Sequence, residues 1–404
     1  MRNETVKIYQ SPKKKRNLKV LLLSPFFKPN VGGAETHLDD LCKYMKKMGH
    51  DIYVITYQPL TIKVRAKKKE KLNGLEIRRI SWFGFEIFYK LESYPILEFI
   101  YLGPMLLLYS LLFMLKRKRN VDAIHGHGMN GIFVAAILGR IFRVRCVGSL
   151  HTIYRLENRP SLAKFFKVIL SRLDSILVPS GQAKIELTSI GINSRKIRVF
   201  RYWVDQSIFR PLNKAICKSK LGLSDDFVAL FVGRLIDSKG VRLVLKAASK
   251  LREATFLFVG DGPLRDEVKM AALTMKNVIF LGKISNESLP LHYTAADVLV
   301  WGNPDADYIG RVTIEALSCG LPAIAPNEVS LFGVTKKVST EFNCPPILTL
   351  IEPDPISLVQ KLKSLLTNSK ELRSLVPACR SYAVEHFSDK NADVILRSYL
   401  PLDD

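Results

Sequence analysis

Short apolar runs closed by glycine, proline or serine recur along this chain, separated by longer stretches with helical spacing. In the first half they are Val20–Ser24, Ile52–Thr56, Leu75–Ile80, Ala123–His125, Cys146–Leu150 and Ser175–Pro179. The second half has Val228–Gly233, Thr255–Gly260, Val278–Gly282, Val298–Trp301 and Pro322–Ala325. Buried strands alternating with helices predict α/β architecture, with parallel sheets covered by helices on both faces. Each half has strands for its own sheet, and 404 residues exceed what one ordinary core holds. The pattern breaks at Phe209-Arg210-Pro211, which puts the seam between two domains near Tyr202–Leu212. Residues 1–16 read as a disordered basic tail. Lys13–Arg16 before Leu18–Phe27 superficially resembles a secretory signal. The apolar run is short, lacks a small-residue cleavage site and leads into a glycine turn, so a first buried strand is expected.

Charge divides unevenly. Residues 1–200 carry 36 Lys/Arg against 14 Asp/Glu, whereas residues 201–404 carry 25 against 23, so nearly all of the +24 net charge lies in one half. Such a half suits anionic lipid, nucleic acid or a phosphorylated substrate. No helix-turn-helix, zinc knuckle or RNA-binding aromatic motif accompanies it, which leaves nucleic acid supported by charge alone. Six cysteines stand at least 25 positions apart, a spacing that gives no zinc or disulfide framework and fits a reducing compartment.

Phe99–Leu115 is a run of seventeen residues without a charge, followed by Lys116–Arg119. It is short for a membrane span and contains Gly103-Pro104. A core helix is the first expectation, and a helix lying in the membrane plane beside the basic cluster is the second.

Chemistry concentrates in a few turns. Asp307 and Glu315 lie eight apart in Asp307-Tyr-Ile-Gly310-Arg311-Val312-Thr-Ile-Glu315-Ala-Leu-Ser-Cys-Gly320, where Gly310 opens a mostly apolar helix. Glu315 is expected inside the protein with hydrogen-bond partners, and Asp307 near backbone N–H groups at the helix mouth. Phe231-Val-Gly233-Arg234 delivers Arg234 at a strand end, with Lys239 at the mouth of the next helix. Two such cations suit a diphosphate. Gly32-Gly33 after the first strand and Gly260-Asp261-Gly262 in the second half are further strand-to-helix glycine turns. His125-Gly126-His127 ends a strand. Its two histidines share a face, but no third metal ligand is evident.

These elements resemble the motifs of family 4 glycosyltransferases. They are Gly32-Gly-Ala-Glu, Val232-Gly-Arg-Leu with Lys239-Gly, Val259-Gly-Asp-Gly-Pro, and the Asp307/Glu315 element with Gly320-Leu-Pro322. Order and spacing match over about Leu18–Leu400. The resemblance implies two Rossmann-like doubly wound domains (the GT-B fold), with a C-terminal helix crossing back to the first. On that basis residues 17–205 form an N-terminal acceptor domain, which its excess of positive charge and the Phe99–Arg119 stretch turn toward a membrane. Residues 206–386 form a nucleotide-sugar-binding domain, and residues 387–404 the returning helix.

The resemblance also implies transfer from a sugar nucleotide, UDP- or GDP-linked, with retained anomeric configuration and with neither cofactor nor metal. Arg234 and Lys239 would hold the donor diphosphate, assisted by Gly32 and the Gly33 N–H from the facing domain, and Gly260 would allow close approach. Backbone at Gly310, Arg311 and Val312 would meet sugar and phosphate. Glu315 would bind the ribose, Asp307 would orient the sugar, and His127 would lie near the scissile bond. His151, in Ser149-Leu-His-Thr152, resembles a family turn, and a satisfied core histidine is an equal reading. A lipid-linked acceptor at the cytoplasmic face of a membrane is the expected partner.

Three departures stand out. Asp replaces the family's first glutamate at 307, Tyr202-Trp203-Val204-Asp205 replaces the usual Asn-Gly-Val-Asp, and Pro326–Gly333 replaces a glycine-rich loop. They motivate an alternative, a non-catalytic sugar-nucleotide-binding protein of the same fold.

Overall fold

In a computed structural model the protein is described at residues 17–401, except 31, 63, 73, 84–86, 88–90, 92–93, 118–119, 224–225, 303–308 and 327–346. The basic tail at 1–16, Asp307 and most of the Pro326–Gly333 stretch lie outside the described residues.

The first sheet has eight strands: β1 (Lys19–Leu23), β2 (Asp51–Tyr57), β3 (Lys69–Leu72), β4 (Leu75–Ile80), β5 (Ala123–His127), β6 (Arg145–Ser149), β7 (Ser175–Val178) and β8 (Ile197–Val199). Their order is β3-β4-β2-β1-β5-β6-β7-β8, and every pairing is parallel except the β3–β4 hairpin. The second sheet contains β9 (Phe227–Val232), β10 (Ala254–Val259), β11 (Val278–Gly282), β12 (Val298–Val300), β13 (Ala323–Pro326) and β14 (Leu348–Ile351). Its order is β11-β10-β9-β12-β13-β14, parallel throughout. Apolar runs without alternation thus became strands covered on both faces. Val20, Leu21, Leu22 and Leu23 all have zero exposure.

In each sheet the chain first winds one way and then the other, reversing between β1 and β5 and between β9 and β12. Ligands of open parallel sheets bind at the carboxyl ends of strands beside such a reversal. The last segment returns to the first lobe. There, in the Ala392–Ser398 helix and just beyond it, Tyr44 Oη donates to Asp393, Arg145 Nε donates to the Ser398 carbonyl, and Tyr399 Oη meets His125 Nδ1 at 2.7 Å. Two chain segments therefore cross between lobes, and they are tied where Val204 N–H donates to the Phe387 carbonyl.

The structure corrects three expectations. Lys69–Leu72, charged and absent from the expected strands, is a strand. β8 and β14 were too short or too mixed in sequence to register as buried runs. The apolar Phe99–Leu115 run is only half a core helix. It forms a continuous helix, Pro95–Lys116, through Pro104. Leu102, Leu106, Ser110 and Met114 are fully buried, but Leu97, Ile100, Leu108, Leu112 and Leu115 form an exposed stripe at helical spacing. Only 28% of its most apolar stretch is buried.

Candidate functional site

The two reversal points collect the residues singled out in the sequence. In the second lobe, β9 ends at Val232, and Gly233, Arg234 and the short turn Asp237–Lys239 follow. Both cations are half-buried. The Leu235 N–H donates to the Asp261 carbonyl at 2.9 Å, binding this turn to the one after β10. Gly260, at φ +152°, backs directly onto Gly233, where a Cβ would fall 1.8 Å from the Gly233 carbonyl oxygen. Gly240, at φ +73°, is equally constrained, since its Cβ would meet the Gly302 oxygen at 2.0 Å. Backbone-to-backbone packing thus draws Arg234, Lys239, the Gly260 turn and the end of β12 onto one sheet edge.

From that edge the chain enters the Arg311–Ser318 helix, whose N-cap Gly310 brings no side-chain cap. Its N-terminal N–H groups at Arg311 and Val312 form a setting that favours an anion. Opposite, in the first lobe, Gly32 is the extended N-cap of the Gly33–Lys47 helix. A Cβ on Gly33 would meet nothing within 4 Å, so backbone at that helix mouth is open. His127 closes β5, next to the β1/β5 reversal.

Glu315 is buried, as its sequence setting required, and both of its oxygens have partners. Tyr293 Oη donates to Oε2 at 2.9 Å and Arg311 Nε to Oε1 at 2.8 Å. Burial raises the Glu315 carboxyl above its ordinary range, against the pull of Arg311. The Arg311 side chain was not foreseen in any role. Beyond Glu315 it reaches Asp40 of the first lobe at 2.7 Å and the Trp203 carbonyl of the crossing segment at 3.0 Å. Burial lowers its pKa, but Glu315 and Asp40 more than compensate, and the net shift is upward. The four-residue spacing of Arg311 and Glu315 was a readable sign of a helical pair. Asp40, 271 positions from Arg311, gave no such sign.

Around this bridge lies a cluster of four histidines, His37, His125 and His127 buried and His151 half-buried, of which His37 was not foreseen. His125 Nδ1 meets Tyr399 Oη and its Nε2 meets Ser149 Oγ, both at 2.7 Å. With both ring nitrogens engaged, it is a satisfied core residue. His127 Nδ1 meets His151 Nε2 at 3.1 Å, and His151 Nδ1 meets Tyr202 Oη at 2.9 Å. His37, on the Gly33–Lys47 helix, stacks on Phe200 and sits edge-on to Tyr202 and Trp203. Burial holds all four below the ordinary histidine value, His125 at about 3 and His151 at about 4. The cluster is therefore neutral at physiological pH. Tyr202 and Trp203, which depart from the family pattern, supply its aromatic wall and the carbonyl that holds Arg311.

Two lobes built on mostly parallel sheets, each with a reversal of winding, have the GT-B architecture. Residues 31–207 match Glycosyltransferase Family 4 and residues 226–368 match Glycosyl transferases group 1. The GPI3 subunit of phosphatidylinositol N-acetylglucosaminyltransferase from Saccharomyces cerevisiae is 22% identical over 343 residues, 79% of this chain and 72% of that protein. The GDP-mannose-dependent alpha-mannosyltransferase of Corynebacterium glutamicum is 27% identical over 330 residues, 77% and 73% of the two chains. The crystal structure of Anabaena Alr3699/HepE in complex with UDP and glucose superposes with a TM-score of 0.71 at 18% identity, covering 95% of this chain and 99% of that one. The chain belongs to the family 4 glycosyltransferases.

Two tests follow from the geometry. Arg311→Met leaves the buried Glu315 with Tyr293 alone and Asp40 with a long contact to Lys43, and is expected to cost about 3 kcal/mol in urea unfolding. A loss below about 1 kcal/mol would mean that the bridge contributes little. The histidines carry folded pKa values below the unfolded 6.5. Their contribution is complete above that pH and is lost as pH falls toward the folded values. Unfolding midpoints should therefore drop from about pH 6.5 down toward pH 4 to 3, and His125→Gln should flatten that slope.

Proposed function

We propose that this glycosyltransferase moves a sugar from a nucleoside diphosphate sugar, with retained anomeric configuration, to a lipid-linked acceptor at the cytoplasmic face of a membrane. The observation that carries the donor half is the convergence of Arg234, Lys239 and the uncapped Gly310–Val312 helix mouth on one sheet edge, opposite the open backbone at Gly33. The acceptor is assigned to residues 17–205, the donor to 206–386, and 387–404 form the returning segment.

Fixed cations act on the charge that develops on the leaving diphosphate, and they act without reorganising. Arg234 forks onto phosphate oxygens and Lys239 adds a point charge. Gly33 N–H and the backbone at Gly310, Arg311 and Val312 complete the cradle, while Gly260 keeps side chains out of it. Each Glu315 oxygen retains a lone pair for a ribose hydroxyl. Asp307, outside the described residues, is assigned to the donor sugar, and His127 to the region of the scissile bond. A UDP- or GDP-sugar fits these groups, which supply positive charge without a metal. The Anabaena protein bound UDP and glucose, and the Corynebacterium relative uses GDP-mannose.

The lipid half rests on the Pro95–Lys116 helix. Twenty-two residues span about 33 Å, long enough to cross a bilayer. One face, however, is locked against the Gly128–Phe142 helix, and lipid cannot surround a helix so attached. Its exposed stripe, ending at the exposed Lys116, suits shallow insertion at an anionic surface, whereas Arg117 is held by Glu76. The yeast relative, a phosphatidylinositol N-acetylglucosaminyltransferase subunit by name, supports a lipid acceptor.

Thermal shifts against UDP-, GDP- and ADP-sugars identify the donor. With that donor, Arg234→Ala and Lys239→Ala should each lower kcat/KM by about 100-fold or more. Unchanged turnover would remove the cations from the mechanism and favour the non-catalytic reading. In flotation with anionic vesicles, Leu108→Glu/Leu112→Glu should release the protein while sparing donor hydrolysis. Flotation indifferent to these changes and to lipid charge would remove the membrane surface.

A further inference from the structure

We propose that Tyr202 and His151 are positioning residues that fix the tautomer of His127, leaving its Nε2–H as a hydrogen-bond donor at the junction between lobes. His127 sits at the carboxyl end of β5 and is 4% exposed. Its Nδ1 is engaged by His151 at 3.1 Å, in a ring pair only 11° from parallel. Its Nε2 has no partner among the described residues. A buried imidazole nitrogen left without a partner is costly, and sites that retain one commonly present it to a ligand.

The direction of the chain follows from chemistry. A neutral imidazole has one N–H and one lone pair, so each ring passes on the polarity it receives. Between Tyr202 Oη and His151 Nδ1, 2.9 Å apart, the phenol is the more acidic group and therefore donates. His151 then carries its proton on Nε2 and donates to His127 Nδ1. His127 in turn carries its proton on Nε2. Were any ring protonated twice, the chain would lose its direction, but burial keeps all of them neutral. Phe200, Tyr202 and Trp203 wall the cluster, and the charge of Arg311 from the second lobe disfavours protonation of His37. A donor at His127 Nε2 suits an oxygen of the sugar or of the departing phosphate. That catalytic consequence rests on the function proposed above, whereas the tautomer does not.

Long-range proton–nitrogen NMR on the full-length protein with labelled histidine reads the tautomer directly. Wild type should show His127 protonated on Nε2. Tyr202→Phe, which removes the leading donor, should shift it toward Nδ1, as should His151→Leu. His151→Gln, whose amide N–H can still reach His127 Nδ1, should restore Nε2 protonation. A wild-type proton on Nδ1, or a tautomer unchanged from wild type in both Tyr202→Phe and His151→Leu, would overturn the assignment.

Donor hydrolysis from UDP-glucose, UDP-N-acetylglucosamine and GDP-mannose tests the consequence. Tyr202→Phe should lower kcat about tenfold with KM nearly unchanged, and His151→Gln should recover most of it. A tautomer that shifts with kcat unmoved would refute the catalytic part. A tautomer that shifts in a protein hydrolysing none of the three donors would uphold the positioning and count against the proposed function.

Discussion

A guanidinium is tolerated between two lobes only when carboxylates on both sides share its charge and its remaining N–H groups find acceptors. Arg311 meets that condition with Glu315 from its own helix, Asp40 from the first lobe and the Trp203 carbonyl from the crossing segment. Its planar fork fixes three chain segments in one geometry, which a flexible ammonium would not do. The junction inherits its register from this arrangement. The Gly33–Lys47 helix is held beside the Arg311–Ser318 helix, and the histidine cluster is sealed beneath Trp203. The carboxylate proposed for the ribose is thereby also a structural partner and helps to set the relation between lobes.

The rest of the site is a product of sheet topology. Parallel strands leave their carboxyl ends on one edge, and reversal of winding opens a gap there. This chain builds that gap twice and closes the space between neighbouring turns with glycine. Gly233 against Gly260 and Gly240 against Gly302 bring main chain into contact where any side chain would intrude. Arg234 and Lys239 are held by backbone packed this tightly, which is the kind of rigidity that lets fixed charges act without reorganising.

Much of this was legible in the sequence because the signals are local. Unalternating apolar runs marked eleven strands. Turn glycines marked the loops that follow them, and the Asp307/Glu315 spacing marked a helix mouth. What escaped depends on distance along the chain. Tyr399 is 274 positions from His125, and Asp40 is far from Arg311, so neither pairing leaves a trace in spacing. Tyr202 and Trp203 read only as departures from a pattern, although they line the histidines and hold the arginine. The Pro95–Lys116 helix failed for a different reason. Its composition is apolar all round, so periodicity did not separate the face that meets the core from the face that meets the surroundings.

Two strands of polypeptide, rather than one, join the lobes at Val204 and Phe387, and they are laced together there. A single tether would let one lobe swivel freely on the other. A paired tether acts like the two pins of a door, leaving swing about one axis as the easy movement and penalising twist. Whatever opens the gap to admit a substrate must therefore return the lobes along the same arc, so that each closing restores the same alignment.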